Sequence, residues 1–257
     1  MYQVINCLTT EHDSYHVLTS VFVLCFSSMC GILVFSRSGV AKSRRERRAW
    51  VIAAGTIMGI GVWATHFIAL LGYRPGFPVM FDGWITLLSS LIGIAGFVGS
   101  SLLLSRSMSL PRRLISAGIA TASVAGMHFF GMSAINVSAV IEYDSAMVAA
   151  ALVLGGAAFT CTYLFAAPSG NRLRRIGAWV CSLLAVAFIH YISAAGTTMI
   201  PIKGLVRPFW LLDTQGLAIA IVVGMAFLII LSSVGTGLQT AFQKVRDREK
   251  RKLALLA

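Results

Sequence analysis

The sequence predicts an all-α, polytopic membrane protein: seven transmembrane helices in one bundle, with an internal repeat of two-helix units and a period of 62 positions. Three observations lead to this prediction. The 257-residue chain is 57% hydrophobic and 12% charged, whereas soluble domains carry about 25% charged residues. Several uncharged stretches approach 20 residues, enough to cross a hydrocarbon core of about 30 Å. Finally, three histidines inside such stretches are equally spaced.

The apolar stretches place the seven spans at about residues 15–36, 50–71, 84–105, 114–137, 146–166, 176–199 and 216–238. The short connections between them favour a single membrane domain over residues 15–238, preceded by a short outward N-terminus over 1–14. Residues 239–257 form a basic cytoplasmic tail, best interpreted as an amphipathic helix leaving the membrane. No Lys or Arg precedes the first span, so we expect it to be retained rather than removed as a signal peptide.

The basic residues predict the orientation of the chain. Eighteen of the 21 lysines and arginines follow the first, third, fifth and seventh spans, and the other three are Arg74, Lys203 and Arg207. The N-terminus is therefore expected outside and the C-terminus in the cytoplasm. This placement explains the net charge of +12 as a topology signal in contact with anionic lipid head groups, not as nucleic-acid binding.

One aspartate stands just before each odd-numbered span: Asp13, Asp82, Asp144 and Asp213. Aspartate accepts hydrogen bonds from the unpaired amides of a first helical turn, so we expect four N-caps; a ligand role is the alternative. The five cysteines show no metal-type spacing, and four of them lie in apolar segments. We therefore expect neither a metal site nor a disulfide framework from them.

The equally spaced histidines are His66, His128 and His190, with 62 positions from one to the next, and each is followed by an aromatic residue and, three positions later, by a small one. They lie on the second, fourth and sixth spans, which all rise from the cytoplasm. Their distance from the last preceding basic residue corresponds to a depth of about 22–27 Å. All three should lie in the outer half of the bilayer, and they converge if the even-numbered helices are neighbours.

Two methionines accompany the middle histidine. Met132 is four residues after His128 and shares its helix face, whereas Met127 points about 100° away and could face an adjoining helix. Imidazole and thioether ligands together suit copper, particularly Cu(I). The predicted metal site therefore consists of His66, His128, His190, Met127 and Met132. Hydrogen-bonded structural histidines, paired-histidine haem ligation, a proton relay and a small-molecule site are the open alternatives.

The heptapeptide Gly126–Met132, GMHFFGM, with the related segments around His66 and His190, resembles the MHYT domain, a bacterial integral-membrane sensory module with a Met-His-Tyr-Thr signature in three copies. The resemblance covers about residues 12–240. It implies a bacterial inner-membrane location and a copper site near the outer face that senses oxygen, CO or NO. The domain often precedes cyclic-di-GMP synthesis and hydrolysis domains or a kinase.

This sequence departs from the MHYT pattern at several positions. Phe129 and Phe130 replace the signature Tyr and Thr of the middle copy. Four methionines expected in the other two copies are replaced by Thr65, Leu70, Ile189 and Ala194. The middle copy alone therefore keeps both sulfur atoms.

The sequence thus predicts a sensory or signalling module rather than an enzyme, since neither a phosphate-binding glycine loop nor a nucleophile–base pair occurs. Its expected partners are the lipid bilayer, a diatomic gas and a cytoplasmic signalling partner or second copy, with no nucleic acid. Two alternatives are a haem-binding membrane protein and a metal transporter. Transport needs a continuous polar path, and the inner halves of the even-numbered spans offer little beyond Thr56, Ser116, Thr121, Ser123 and Ser182.

Overall fold

Among the described residues, six long helices form the fold, each long and apolar enough to cross a membrane by length and composition. The structure is a computed structural model that describes residue 10 and residues 12–74, 79–136, 139–167, 171–201, 210–227 and 230. The six helices are α1 (Ser14–Arg37), α2 (Arg44–Leu71), α3 (Gly83–Arg106), α4 (Leu110–Met132), α5 (Ser145–Phe165) and α6 (Arg172–Ala195). A shorter apolar helix, α7 (Thr214–Phe227), begins the seventh predicted span. Most of the rest of that span and the tail at 239–257 lie outside the described residues.

The helix bounds differ from the predicted spans by four residues or more at five places, two of which are the earlier starts of α4 at Leu110 and of α6 at Arg172. The second span was expected from residue 50, but α2 begins at Arg44 because the Ser43 side chain accepts a hydrogen bond from the Glu46 amide and caps the helix within the basic segment. The fourth and sixth spans were expected to reach residues 137 and 199. Instead α4 ends at Met132 and α6 at Ala195, where the chain turns into short strands.

Five short strands occupy the connections at the end of the bundle that the sequence predicts to face outward, here called the outer end. They are β1 (Met80–Asp82), β2 (Ile135–Asn136), β3 (Ala139–Tyr143), β4 (Thr197–Pro201) and β5 (Leu211–Leu212). β1 pairs antiparallel with β2 and β5, and β3 pairs antiparallel with β4. These ladders pair backbone groups of the connections between the helices. The all-α prediction therefore describes the bundle but misses the strands.

Three of the four predicted aspartate caps are present. Asp82 and Asp144 each accept two backbone N–H bonds from the first turn of α3 and α5, and Asp213 accepts one from Gly216. Asp13 stands at the N-cap position of α1, but its side chain makes no capping bond.

The Asp13 carboxylate is engaged elsewhere. It contacts His16 Nδ1 and Arg74 Nη2, both at 2.8 Å. The hydrogen bond from His16, assisted by the charge of Arg74, holds the pKa of the Asp13 carboxyl below its usual 3.8. The prediction of a fourth cap is therefore wrong, because two cationic or hydrogen-donating side chains compete for the carboxylate.

Close backbone contact joins α2 to α3, as the small residues Gly55 and Gly59 indicate. A Cβ atom built on Gly55 would lie 2.6 Å from Cα of Val98, and one on Gly59 would lie 2.5 Å from Cα of Ile94. Only glycine allows two helix backbones to approach this closely.

The six helices close into a ring in which α1, α3 and α5 alternate with α2, α4 and α6. The helix α3 packs against α2 and α4, and α5 packs against α4 and α6. The helix α1 fills the remaining position between α6 and α2, since Trp179 Nε1 donates to the Cys25 carbonyl at 3.0 Å and Ser27 packs against Gly61. The helix α4 also contacts α2 and the Phe188–Ile192 part of α6 directly, so the histidine-bearing helices lie close together, as convergence of the histidines requires.

The same backbone hydrogen bond recurs at three places around the ring. The amide of each N-cap aspartate of α1, α3 and α5 donates to a carbonyl just beyond the end of α2, α4 and α6. The three bonds are Asp13 N to Gly72 O (2.9 Å), Asp82 N to Ala134 O (2.7 Å) and Asp144 N to Gly196 O (2.8 Å). The acceptors follow one another at the same interval as the histidines, so the spacing of the histidines also describes how the helix ends are joined.

At the opposite end of the bundle, Arg113 joins α4 to the C-terminus of α5. Its Nη1 donates to the carbonyls of Tyr163, Leu164 and Ala166, and its Nε donates to the Met108 carbonyl. The carbonyls at the end of α5 have no partner within their own helix, and the arginine supplies both the donors and a charge that suits the negative end of the helix dipole.

Candidate metal centre

The helices α2, α4 and α6 bring His66, His128 and His190 together near the outer end of the bundle. One ring nitrogen of each lies within 4.8 Å of the others, and the three residues are 2%, 1% and 3% exposed. No other group of three metal-ligating His, Cys, Asp or Glu side chains occurs among the described residues. The convergence predicted from spacing and depth is therefore present.

The three imidazoles meet through the same atom, Nδ1. The Nδ1–Nδ1 distances are 3.2 Å between His66 and His190, 3.3 Å between His66 and His128, and 3.3 Å between His128 and His190. In a neutral ring, Nδ1 is either a donor or an acceptor. Three mutual contacts therefore cannot all be hydrogen bonds, because at least one pair must face donor to donor or lone pair to lone pair.

A metal cation removes this conflict, since it accepts all three lone pairs at once. A point equidistant from the three Nδ1 atoms lies about 1.9 Å from each, close to the metal–imidazole distance of about 2.0–2.1 Å seen for zinc. Neutral imidazole donors in an apolar site also suit copper. The donor set and its spacing thus fit a single transition-metal ion.

The opposite nitrogens of the same rings lack partners. Nε2 of His66, His128 and His190 is buried without a hydrogen bond to any described residue. The rings pack edge to face on one another, with centroids 4.9–5.2 Å apart. Each also packs on the aromatic residue that follows it: Phe67, Phe129 or Tyr191. This packing explains the aromatic residue after each histidine in the sequence.

His190 lies in an irregular part of its helix. Residues Phe188–Ile192 form a π-helical turn inside α6, whereas His66 and His128 lie in regular α-helix. Such turns are rare and occur frequently at functional sites. The wider turn changes the direction of the side chains beyond it, and the spacing of residues alone did not predict it.

The structure places the two candidate methionines differently. Met127 is 1% exposed and packs toward α3, where its Cγ would lie 3.6 Å from a Cβ on Gly93. Met132 is 3% exposed and is the last residue of α4, one turn beyond His128. The structure therefore brings the histidines together and packs Met127 against an adjoining helix. Thioether ligation stays a prediction.

Gly131 is a site residue whose role the sequence analysis missed. A Cβ atom at this position would lie 2.6 Å from Nε2 of His66. The small residue three positions after each histidine was noted as part of the repeat. The structure gives its purpose at Gly131, which leaves room for the imidazole of the neighbouring helix.

The sequence analysis also overlooked His12, which is 4% exposed at the outer end. It forms an antiparallel bridge with Tyr73, as Phe81 does with Ile135 and Tyr143 with Thr197. His12, Phe81 and Tyr143 each precede an N-cap aspartate, so the signal was their shared position before Asp13, Asp82 and Asp144. These three rings occupy equivalent places in the outer connections.

Two segments of the chain match a known protein family. Residues 59–117 and 122–178 match the MHYT family, described as "Bacterial signalling protein N terminal repeat". The two matched segments contain His66 and His128. The match confirms the resemblance to the MHYT-domain family.

The similar proteins are bacterial signalling proteins. The chain is 29% identical over 91% of its length to a signalling protein of Caulobacter vibrioides. It is 28% identical over 73% of its length to the bifunctional diguanylate cyclase/cyclic di-GMP phosphodiesterase MucR of Pseudomonas aeruginosa, and 25% identical over 57% to the signalling protein YkoW of Bacillus subtilis. It spans 29%, 28% and 19% of these relatives, less than a third of each. No solved structure matches the chain.

Proposed function

Because the chain carries the repeats of the MHYT family, we propose that it is a membrane-embedded sensor that holds one copper ion between His66, His128 and His190. The sensed signal is a diatomic gas, O2, CO or NO, or a change of redox state. The observation that carries the proposal is the convergence of three Nδ1 atoms at 3.2–3.3 Å in a buried site. A copper ion bound there would supply a coordination position for a diatomic ligand.

The chain's own contribution is to position three neutral donors on three different helices. Burial favours uncharged imidazoles because a charged group in an apolar site is costly. Since α2, α4 and α6 each carry one donor, a change in the distances around the ion moves these helices relative to one another. The movement would be read at the cytoplasmic end by a signalling partner or a second copy. Such coupling requires two defined states of the bundle.

The hydroxyl groups of the inner bundle favour sensing over transport. Five hydroxyl residues were considered from the sequence as the lining of a polar path, and four of their side chains donate to backbone carbonyls. These bonds run from Ser116 to Ser100, Thr121 to Ala117, Ser123 to Ile92 and Ser182 to Trp179. Hydroxyls engaged in this way are less available to solvate a passing ion. The close edge-to-face packing of the three imidazoles likewise favours a single ion over haem, whose macrocycle must lie between its axial ligands.

Metal analysis of the purified full chain tests the proposal. We expect about one copper per wild-type chain and at least a tenfold loss of affinity in His66→Ala, His128→Ala and His190→Ala, because each removes one of three donors. The matched control is His16→Ala, which removes a histidine outside the cluster and should leave copper content unchanged. Absence of copper from the wild type, zinc in its place, or a copper content in all three variants unchanged from wild type would contradict the proposal.

Two spectra separate the remaining alternatives. A strong Soret band in the purified protein would identify haem and overturn the copper assignment. With reduced, copper-loaded protein under CO, we expect an infrared band of bound CO that is absent from His128→Ala. Copper binding without any response to CO, O2 or NO would leave a redox signal as the sensed change.

A further inference from the structure

Two of the unpartnered buried polar atoms near the predicted metal site lie on the neighbouring helices α4 and α6. Nε2 of His128 on α4 and Oγ of Ser193 on α6 both lack a hydrogen bond to any described residue. Their residues are 1% and 0% exposed. Unpaired buried polar groups are costly, so two of them at one site require an explanation.

The repeat places these two residues against each other. Gly131 of α4 lies against Nε2 of His66 on α2, at 2.6 Å for a Cβ on the glycine. Ser193 follows Gly131 by one full repeat, and His128 follows His66 by the same interval. The pair Ser193–His128 therefore corresponds to the pair Gly131–His66, with a serine in place of the glycine.

Two independent contacts show that the repeat preserves packing between these parts of the fold. Gly93 of α3 faces Met127, and Gly155 of α5 faces Ile189, with each residue of the second pair one full repeat after its counterpart. The helix-end bonds Asp82 N to Ala134 O and Asp144 N to Gly196 O are related in the same way. The second of these bonds lies three residues beyond Ser193, so the correspondence extends across the π-helical turn.

We propose that Ser193 is the outer-sphere partner of His128: its hydroxyl accepts a hydrogen bond from Nε2–H of that ring when Nδ1 binds the metal. A neutral imidazole that ligates through Nδ1 carries its proton on Nε2, and this N–H needs an acceptor. Such a bond fixes the tautomer and the ring orientation and makes the ligating nitrogen a stronger donor. Ser193 is a positioning residue in this role, and the inference rests on the proposed metal site.

The other two corresponding positions cannot do the same. Gly131 takes the place of Ser193 beside His66, and Ala69 takes that place in the repeat for His190. Neither side chain offers an acceptor. His128 is therefore distinguished from the other two ligands, and it lies in the copy that also keeps both methionines.

The experiment compares Ser193→Ala and Ser193→Gly with wild type, using Ser28→Ala as the matched control. Ser28 is also 0% exposed with an unpartnered hydroxyl, but it lies on α1. Each protein is purified as the full chain, and its Cu(I) affinity is measured by competition with a chromophoric chelator. We expect both Ser193 variants to bind one copper with affinity reduced about 10–100-fold, while Ser28→Ala stays within about twofold of wild type.

A second readout separates this role from simple packing. Electron spin-echo envelope modulation of the Cu(II)-loaded protein reports the quadrupole coupling of the remote imidazole nitrogen, which depends on its hydrogen bond. We expect one remote nitrogen to differ from the other two in wild type and Ser28→Ala, and all three to be alike in the Ser193 variants. Ser193→Gly provides the comparison if Ser193→Ala does not fold.

The outcomes distinguish the two proposals. If the wild type binds no metal, the metal site and the role of Ser193 are both wrong. If the wild type binds copper and the Ser193 variants keep its affinity and its modulation pattern, only the role of Ser193 is overturned.

Discussion

The backbone of Gly131 on α4 faces Nε2 of His66 on α2, close enough that a single added methyl group would lie 2.6 Å from that nitrogen. The glycine and the imidazole are therefore mutually dependent: the ring occupies the space that the missing side chain leaves. The shape of the histidine cluster therefore depends on the missing side chain of Gly131 as well as on the three imidazoles.

The first prediction concerns this contact. In Gly131→Ala, the imidazole of His66 must move away, so its Nδ1 leaves the common point and copper affinity should fall at least about tenfold. Copper titration of purified protein measures the change. Gly118→Ala on the same helix is the control, since a Cβ there meets nothing within 4 Å and alanine favours helix by about 0.8–1 kcal/mol. Equal affinity in both variants would show that the ring tolerates the methyl group.

A second prediction concerns the contact between α2 and α3. In Gly59→Ala, the new methyl would lie 2.5 Å from Cα of Ile94, a backbone atom that cannot rotate aside. The two helices must separate, and the free energy of unfolding should fall by about 1–3 kcal/mol. Unfolding in mixed micelles measures this loss. Gly99→Ala on α3 places its methyl in open space and should cause no loss; a comparable loss there would contradict the steric explanation.

A third prediction concerns Arg113. Replacing it by alanine leaves the carbonyls of Tyr163, Leu164 and Ala166 without their donor, and hydrogen bonds to charged groups contribute about 1.5–3 kcal/mol each in favourable cases. We expect lower thermal stability and faster amide hydrogen exchange at the C-terminus of α5. Arg106→Ala is the control, because it removes one basic residue from the same predicted side of the membrane. Equal exchange in the two variants would show that charge alone matters.

A fourth prediction concerns pH. His16 and Arg74 are the groups that face the Asp13 carboxylate, and they hold its pKa below 3.8. A carboxyl with a lowered pKa in the folded state stabilises the fold above its ordinary pKa, and this contribution is lost as the pH falls through the folded value. The difference in unfolding temperature between wild type and Asp13→Asn should therefore be largest near neutral pH and shrink below about pH 4. A difference that is independent of pH would show that the charge of the Asp13 carboxylate does not contribute to stability, and would contradict this prediction.

The position of the histidine cluster could be predicted from the sequence because its three histidines are equally spaced along the chain. Equal spacing of His66, His128 and His190 placed three side chains at one depth, and depth along parallel helices translates directly into proximity. The sequence did not indicate which ring nitrogen would face the centre, because that depends on helix rotation. The π-helical turn over Phe188–Ile192 changes such a rotation at His190, and the spacing of residues does not reveal it.

Other misses have a similar origin. Asp13 has the same sequence context as Asp82, yet its carboxylate bonds to His16 and Arg74 instead of capping its helix. When several donors are near a carboxylate, their positions in the folded chain decide which hydrogen bonds form, and a sequence pattern does not give those positions. The sequence indicated that Met127 points away from His128 and could face an adjoining helix, but only the packing against Gly93 identifies that helix as α3.

The position of α1 between α6 and α2 has a consequence for the whole architecture. A linear array of repeats has two terminal units, each with one unsupported side, and a donor on a terminal unit would be the easiest to displace. Because α1 joins the last histidine helix to the first, through contacts such as Ser20 with Tyr191 at 3.0 Å, the array has no terminal unit. The three histidine-bearing helices therefore each have a neighbouring helix on both flanks, and the three Nδ1–Nδ1 distances between their histidines are nearly equal.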